Sequence, residues 1–230
     1  MSSIFGVIGD IHGNFAALER VMQRHLDVPF WLCVGDVAST TGAYPTPPSP
    51  MYWIKGNNES FDRIAAFEAG TDAVPNLHYI ANGAAAEVDG VKVAGVGGTF
   101  APTWYDTPAV DLPHTPKDDK RRHFVREEVE ACQRIPEVDV LLTHEAPKPF
   151  WMTLPSSTAP SGKWRRDVGK VPVAELADTL KPRLHCFGHH HVHAAFERAG
   201  IPTVCIDRVN RGYLLVDRAS FAWEARVTGD

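Results

Sequence analysis

Short apolar runs that stop at polar breaks divide the first sixty residues. Ile4–Ile8 reads as a buried strand, followed by Gly9-Asp10-Ile11-His12-Gly13. A helical period comes next. Phe15, Leu18, Met22 and Leu26 share a face that excludes Glu19, Arg20 and Arg24, which predicts a helix over 14–26 with Asn14 as its N-cap. Phe30–Val34 is a second strand, ending Gly35-Asp36. Met51–Ile54 is a third, ending Gly56-Asn57-Asn58-Glu59. Between them, residues 38–50 are too rich in Pro, Thr, Ser and Gly for regular structure. Ser60–Glu68 has Phe61, Ile64 and Phe67 on one side and Gly70 just past its end, which predicts a helix.

The pattern then changes. Leu77–Ile80, Ala84–Val88 and Val91–Val96 read as three strands, with Asp89-Gly90 as a hairpin turn between the last two. An antiparallel second sheet is expected here. Residues 99–116 form an irregular loop, and 118–134 a charged amphipathic helix with Phe124, Val125, Val129 and Cys132 inward. Val138–Leu142 is a buried strand ending Thr143-His144, residues 147–171 a second long loop, and Val173–Leu180 a short helix. Leu184–Phe187 ends Gly188-His189-His190-His191. Strands near Ala195–Glu197, Thr203–Ile206, Gly212–Val216 and Phe221–Val227 complete an α/β chain. No repeat or linker divides it, so one domain over 1–230 is expected.

Composition adds mainly exclusions. With 44% hydrophobic and 22% charged residues the chain is of ordinary globular make-up. A net charge of −5 gives no basic field toward nucleic acid or membrane. Cys33, Cys132, Cys186 and Cys205 show neither a Cys-x-x-Cys pair nor a dense framework, and Cys33 and Cys186 sit in apolar runs as core residues. Met1-Ser2-Ser3 leads directly into a strand, leaving no room for a signal peptide, and no stretch approaches membrane-spanning length. A cytoplasmic protein with no membrane association and no obligate protein partner is expected.

Chemistry enters at the ends of the apolar runs. Five of them stop at potential metal ligands: Asp10 and His12, Asp36, Asn57, His144, then His189 and His191. Four have glycine immediately before the ligand, which lets the backbone turn there. Singly, each has a plain reading: Asp36 as a cap, His144 as a core histidine, Asn57 as a turn residue. Together they fit the crevice beyond the carboxyl ends of parallel strands, where α/β proteins build sites. Oxygen and imidazole donors without thiolate suit Mn, Fe, Zn or Mg. Seven donors exceed one ion's needs, and two ions sharing a carboxylate would activate a bridging water for in-line attack on a phosphoryl group.

Asp10-x-His12, Gly35-Asp36, Gly56-Asn57-Asn58-Glu59, Thr143-His144 and Gly188-His189-x-His191 resemble, in order, the five blocks of the calcineurin-like metallophosphoesterases. The resemblance implies a four-layer αββα sandwich of two mixed β-sheets flanked by helices. It implies two divalent metal ions, Mn2+ first. Asp10, His12, Asp36 and His191 would hold one, and Asp36, Asn57, His144 and His189 the other. Val91–Gly98 and the long loops also resemble the RNA lariat-debranching branch. One departure stands out: Asn58 replaces the histidine that the family uses to contact phosphate and protonate the leaving group. An amide donates a hydrogen bond but no proton, and lost acid catalysis costs about 10²–10⁴-fold on a poor leaving group. The expected activity is therefore phosphodiester hydrolysis on a nucleotide, another small diester or RNA, with Asp36, Asn58 and His144 as catalytic residues. A phosphomonoesterase or protein phosphatase, and a metal-binding scaffold without turnover, are the alternatives. A (β/α)₈ barrel with similar donors would need eight βα units, which the hairpin and tail do not supply.

Other residues carry two readings each. His123 is a replacement acid or phosphate contact, or a solvated helix start. Arg165 and Arg166 grip phosphate, or merely charge a loop. His190 and His193 are supporting or surface histidines rather than ligands. Trp104, Tyr105, Trp151 and Trp164 stack a base or anchor their loops. Glu59 is expected to cap the helix that follows it.

Overall fold

Alternation along the strands sorts the core into layers. In β1 (Ile4–Ile8) Phe5 and Val7 face one side and Ile8 the other; in β2 (Trp31–Cys33) Leu32 joins Phe5 and Val7, while Trp31 and Cys33 join Ile8. The side holding Ile8 is covered by α1 (Phe15–Gln23), which lays Leu18, Val21 and Met22 onto it. These side chains are at most 1% exposed, and each such burial contributes roughly 1.5–3 kcal/mol before entropy is counted. The computed structural model describes residues 3–115, 117–155 and 163–229.

In order, β3 (Met51–Trp53), α2 (Phe61–Glu68), β4 (Leu77–Tyr79), β5 (Ala85–Val88) and β6 (Val91–Val96) follow. Four two-residue strands come next: β7 (Thr99–Phe100), β8 (His114–Thr115), β9 (Asp118–Asp119) and β10 (His123–Phe124). Then come α3 (Arg126–Gln133), β11 (Val140–Thr143), β12 (Trp151–Pro155), β13 (Lys163–Asp167) and α4 (Val171–Leu180). The last strands are β14 (Leu184–Phe187), β15 (Ala194–Arg198), β16 (Ile201–Cys205), β17 (Gly212–Asp217) and β18 (Trp223–Val227).

Two six-stranded sheets result. The first runs β18-β17-β1-β2-β3-β4, with β1 to β4 parallel and Val7 opposite Leu32. The second runs β15-β16-β14-β11-β6-β5, parallel from β16 to β6. Phe5, Leu32 and Val34 from the first sheet meet Val93, Leu142 and Leu184 from the second in a shared inner core. On the far face of the second sheet, Val129 and Cys132 of α3 and Leu176 of α4 cover Ala94, Val96 and Leu141. The order is helix, sheet, sheet, helix, as the family resemblance implied. Each sheet has four parallel strands, so eight carboxyl ends point to one edge of the sandwich.

The pattern misled in four places. Leu77–Tyr79 pairs parallel with β3 and belongs to the first sheet, not to an antiparallel second one. Helix α1 stops at Gln23, and the chain leaves it through two tighter turns, the His25 amide donating to the Met22 carbonyl (3.1 Å) and the Val28 amide to the His25 carbonyl (3.0 Å), which leaves Leu26 76% exposed. Only 126–133 of the expected 118–134 helix forms. Upstream, Asp119 accepts from the Arg121 amide (3.0 Å) and closes a 3-10 turn, and His123–Phe124 pairs with Thr99–Phe100. Glu128 Oε2 accepts from the Val125 amide (2.9 Å) and so starts the helix there. The loops expected over 99–116 and 147–171 carry short strands, including the antiparallel hairpin β12–β13.

Candidate metal centre and cleft

Strand ends deliver the polar side chains, and close approach of their backbones sets which residues precede them. Asp10 and His12 leave β1, Asp36 leaves β2, and Asn57 and Asn58 leave β3. His144 leaves β11, while His189 and His191 leave β14. Turning was the expected reason for the glycines, but at two of them crowding decides. A Cβ on Gly56 would stand 2.0 Å from Asp36 Oδ1, and one on Gly188 2.2 Å from Asp10 Oδ1. Gly35 (φ +107°) and Gly13 (φ +72°) do turn the chain as expected, and the donors turn with them: His12 (φ +48°), Asp36 (+52°), His189 (+66°) and His191 (+52°) all occupy the left-handed region. Such backbone costs on the order of 1 kcal/mol per residue and collects at functional sites.

Donor atoms of Asp10, His12, Asp36 and His191 lie within 4.8 Å of one another, a set that can hold a metal ion. His191 Nε2 is 2.9 Å from Asp10 Oδ2 and 3.0 Å from His12 Nε2. Asp36 is the hinge. Its Oδ2 lies 3.5 Å from His12 Nε2, and its Oδ1 lies 3.6 Å from His144 Nε2 on the other side. His144 Nε2 in turn faces Asn57 Oδ1 at 3.0 Å, and the His189 ring is 5.0 Å from that of His144. The His189 amide donates to both oxygens of Asp10 (3.2 and 3.1 Å), which stitches the second sheet to the first.

One contact tests whether these groups suit a cation. Among the described residues, His144 Nδ1 is partnered by the Val34 carbonyl at 2.8 Å, so that nitrogen carries the proton. The neutral ring then presents a lone pair from Nε2 to the oxygens of Asn57 and Asp36, three acceptors without a donor. A cation relieves that arrangement, and in its absence a proton must. Accordingly, burial opposes a charge on His144, yet Asp36 and then Asp10 outweigh it and raise the imidazole above its ordinary range. Burial likewise resists ionisation of Asp36, but His144 and the two hydrogen bonds from Asn58 hold its carboxyl low. Burial lowers His12 against the pull of Asp36 and Asp10 and, with the nearby His144, pushes His189 down to about 4. Neutral imidazoles and an ionised carboxylate are the forms that ligate divalent metals.

Asn58 sits against Asp36. Its amide donates to Oδ1 (2.7 Å) and its side-chain Nδ2 to Oδ2 (2.9 Å). Beyond it opens a cleft of about 380 Å³ lined by His12, Ser39, Thr40, Asn57, Asn58 and Glu59. Glu59 does not cap α2, whose N-cap is Ser60. Its carboxylate accepts from the amides of Val37 (2.9 Å), Ala38 (3.1 Å) and Gly56 (3.2 Å), tying the exits of β2 and β3 together. Burial and the charge of Asp36 push it up to about 7.

The residues expected to hold substrate fare differently. His123 is half-buried on β10 and bonds Thr99 Oγ1 (3.0 Å), so it is not a helix start. Arg165 and Arg166 stand on β13, opposite Thr153 and Met152, outside both large sheets, with Arg165 exposed. Tyr105 is packed against Phe100 and Phe124, and Trp104 lies under Lys120; both anchor loops. Trp151 is 55% exposed, and the side chain of Trp164 lies outside the described residues. His190 packs on Phe150 and His193 on Trp223. Arg208 was overlooked. It follows β16 by three residues, and its Nη2 reaches His191 Nδ1 at 2.7 Å. The signal was available: Ile206-Asp207-Arg208 leaves a strand end at the same edge as every donor above.

The family model described as calcineurin-like phosphoesterase matches residues 4–193, from β1 through the last of the donors. The chain belongs to this family. Calcineurin-like phosphoesterases use divalent metals and act on phosphate esters. Among curated proteins, a lariat debranching enzyme of Schizosaccharomyces pombe is 24% identical over 201 residues, covering 79% of this chain and 42% of that protein. A lariat debranching enzyme of Drosophila melanogaster is 24% identical over 228 residues, covering 81% and 41%. The chain thus spans about two fifths of the length of these relatives. Among solved structures, TT1561 of Thermus thermophilus superposes with a TM-score of 0.64 at 14% identity, covering 98% of each chain. A novel archaeal phosphodiesterase superposes at 0.53 and 12% identity, covering 97% of this chain and 99% of that one. Among the described residues no helix is long and apolar enough to cross a membrane.

Proposed function

We propose that this phosphoesterase is a single-domain, dinuclear phosphodiesterase of the cytoplasm. Asp10, His12, Asp36 and His191 would hold one cation; Asp36, Asn57, His144 and His189 would hold the second. Mn2+ is the preferred ion at both, with Fe, Zn or Mg able to substitute. The observation that carries the reading is the position of Asp36, one oxygen toward His12 and the other toward His144. When bound, two such cations supply Lewis-acid polarisation of the phosphoryl group and a water made nucleophilic at neutral pH. The chain's own contribution is positioning. The Val34 carbonyl fixes the ring of His144, the His189 amide fixes Asp10, and Asn58 fixes Asp36.

The choice of a diester rests on Asn58. A carboxamide there can donate to a phosphoryl oxygen but cannot protonate a departing alkoxide, so substrates with stable leaving groups are favoured. The wide cleft beside it suits the alcohol portion of a nucleotide, another small diester or RNA. Four buried, unpaired cysteines suit a reducing compartment. The test is kcat/KM on bis(4-nitrophenyl) phosphate against 4-nitrophenyl phosphate with Mn2+ present. A preference for the diester is expected. A strong monoester preference would point to a phosphatase, and no turnover on either to a scaffold.

A further inference from the structure

Beside the two donor sets, a cationic side chain stands over the candidate site. Its place is built rather than incidental. The Val209 amide donates to the Asp10 carbonyl (3.0 Å), locking the loop after β16 onto the end of β1. Asp207 O comes within 1.9 Å of where a Cβ on Gly9 would lie, so only glycine permits the approach. The amides of Arg211 and Gly212 both donate to the Arg208 carbonyl (2.8 and 3.2 Å) and close the turn. The nearest acidic neighbour in sequence, Asp207, turns its carboxylate to its own chain and to Arg211 (3.5 Å). Arg208 is left exposed, with its guanidinium 2.7 Å from His191 Nδ1.

We propose that Arg208 grips a non-bridging oxygen of the substrate's phosphoryl group. The proposal rests on the phosphoesterase reading and adds the residue that holds the anion. The contact with His191 explains why Arg208 is poised rather than committed. A guanidinium only donates, so it needs the lone pair of His191 Nδ1. An imidazole that lends Nε2 to a cation carries its proton on Nδ1 and offers no lone pair there. With a cation held on Nε2, His191 would no longer offer Arg208 an acceptor, and the planar, permanently charged fork would suit two phosphate oxygens. Arg165 and Arg166, chosen from sequence for the same task, stand on a hairpin outside both large sheets. The cleft beside the centre is lined by hydroxyls and amides from Ser39, Thr40 and Asn58 and by the Glu59 carboxylate, and Arg208 is not among its lining residues.

Arg208→Gln and Arg208→Lys test this on the Mn2+-loaded protein, with bis(4-nitrophenyl) phosphate as substrate and inorganic phosphate as competing anion. Loss of charge-assisted hydrogen bonds should raise KM and the phosphate inhibition constant about tenfold or more in Arg208→Gln. Lysine should recover part of that loss. Calorimetric titration of the metal-free protein with Mn2+ should show affinity unchanged or tighter in Arg208→Gln, because a competitor for His191 is gone. Weakened Mn2+ binding with an unchanged phosphate constant would overturn the proposal and make Arg208 a holder of His191. No change in any quantity would overturn it as well. If the wild type does not cleave the diester, the phosphodiesterase reading fails by itself. Phosphate binding to the Mn2+-loaded protein, measured by calorimetry, then still decides Arg208.

Discussion

Asp36 is 1% exposed and takes hydrogen bonds from both the amide and the side chain of Asn58, whereas Arg165 stands exposed on a two-stranded hairpin outside both sheets. Both residues are polar, and both were chosen from sequence as members of one site. The difference lies in what precedes them. Asp36 follows a strand that is buried on both faces, so its position is fixed by inner and outer cores at once. Arg165 lies on a strand that belongs to neither large sheet. Side chains at the ends of buried strands inherit the precision of the core, and side chains on rim loops do not.

That contrast breaks most sharply at the shared carboxylate. Asp36→Asn removes the charge between His12 and His144. Loss of a mere supporting partner costs about 10–100-fold in metal affinity or activity, so loss of this donor should lower kcat/KM with Mn2+ by more than about 100-fold. A fall below tenfold would place Asp36 on the same footing as the rim. Gly56→Ala comes next, since its Cβ would collide with Asp36 Oδ1 and with the Asp36 amide at 2.3 Å. Backbone must shift, which should cost roughly 1–3 kcal/mol in denaturant unfolding together with Mn2+ affinity. Unchanged Mn2+ binding would show that the strand ends tolerate more play than their packing implies. Asn58→His sharpens the comparison from the other direction. It should raise turnover of alkyl diesters about tenfold relative to aryl diesters. No gain would mean that another group already supplies the proton.

How firmly the second sheet holds its end can be read from acid stability. Burial pushes the His185 imidazole down to about 3. Its Nε2 donates to Thr143 Oγ1 (2.8 Å), which donates onward to the Glu145 carbonyl (2.7 Å), leaving Nδ1 without a partner among the described residues. The unfolded chain protonates first, near about 6.5, so the stabilisation is full above that pH and drains away as pH falls toward 3. His185→Leu should show a flatter dependence of its urea midpoint between about pH 6.5 and 4 than the wild type; equal slopes would contradict this. The smallest effects belong to the rim. Arg165→Ala and Arg166→Ala should each change kcat/KM less than about threefold, as solvated charges do. A tenfold loss in either would bring the hairpin into the site.

Sequence and structure agree where one physical rule decides the outcome. Asp10, His12, Asp36, Asn57, His144, His189 and His191 were legible because each ends an apolar run, and parallel strands carry their ends to one edge. Arg208 obeys the same rule but was passed over, because the run before it looked like part of an antiparallel tail rather than β16, parallel to β14. Leu77–Tyr79 was misassigned for a related reason: apolar content marks a strand but not its partner. The stretch 118–125 failed differently. Its helical period is real, yet Asp119 and Glu128 bond nearby amides and split it into a turn, a short strand and a late-starting helix. Glu59 could not have been placed from sequence, since its three amide donors come from the exits of two different strands.

At the centre of the proposed function stands one carboxylate, Asp36, that would serve two cations brought together by two sheets. Calorimetric titration of the metal-free protein with Mn2+ tests it most directly, using the wild type, Asp36→Asn and Asn57→Ala. Two ions per chain are predicted for the wild type, loss of both in Asp36→Asn, and loss of chiefly one in Asn57→Ala. A wild type that binds a single ion, or an Asp36→Asn variant that keeps one site at full affinity, would contradict the shared centre.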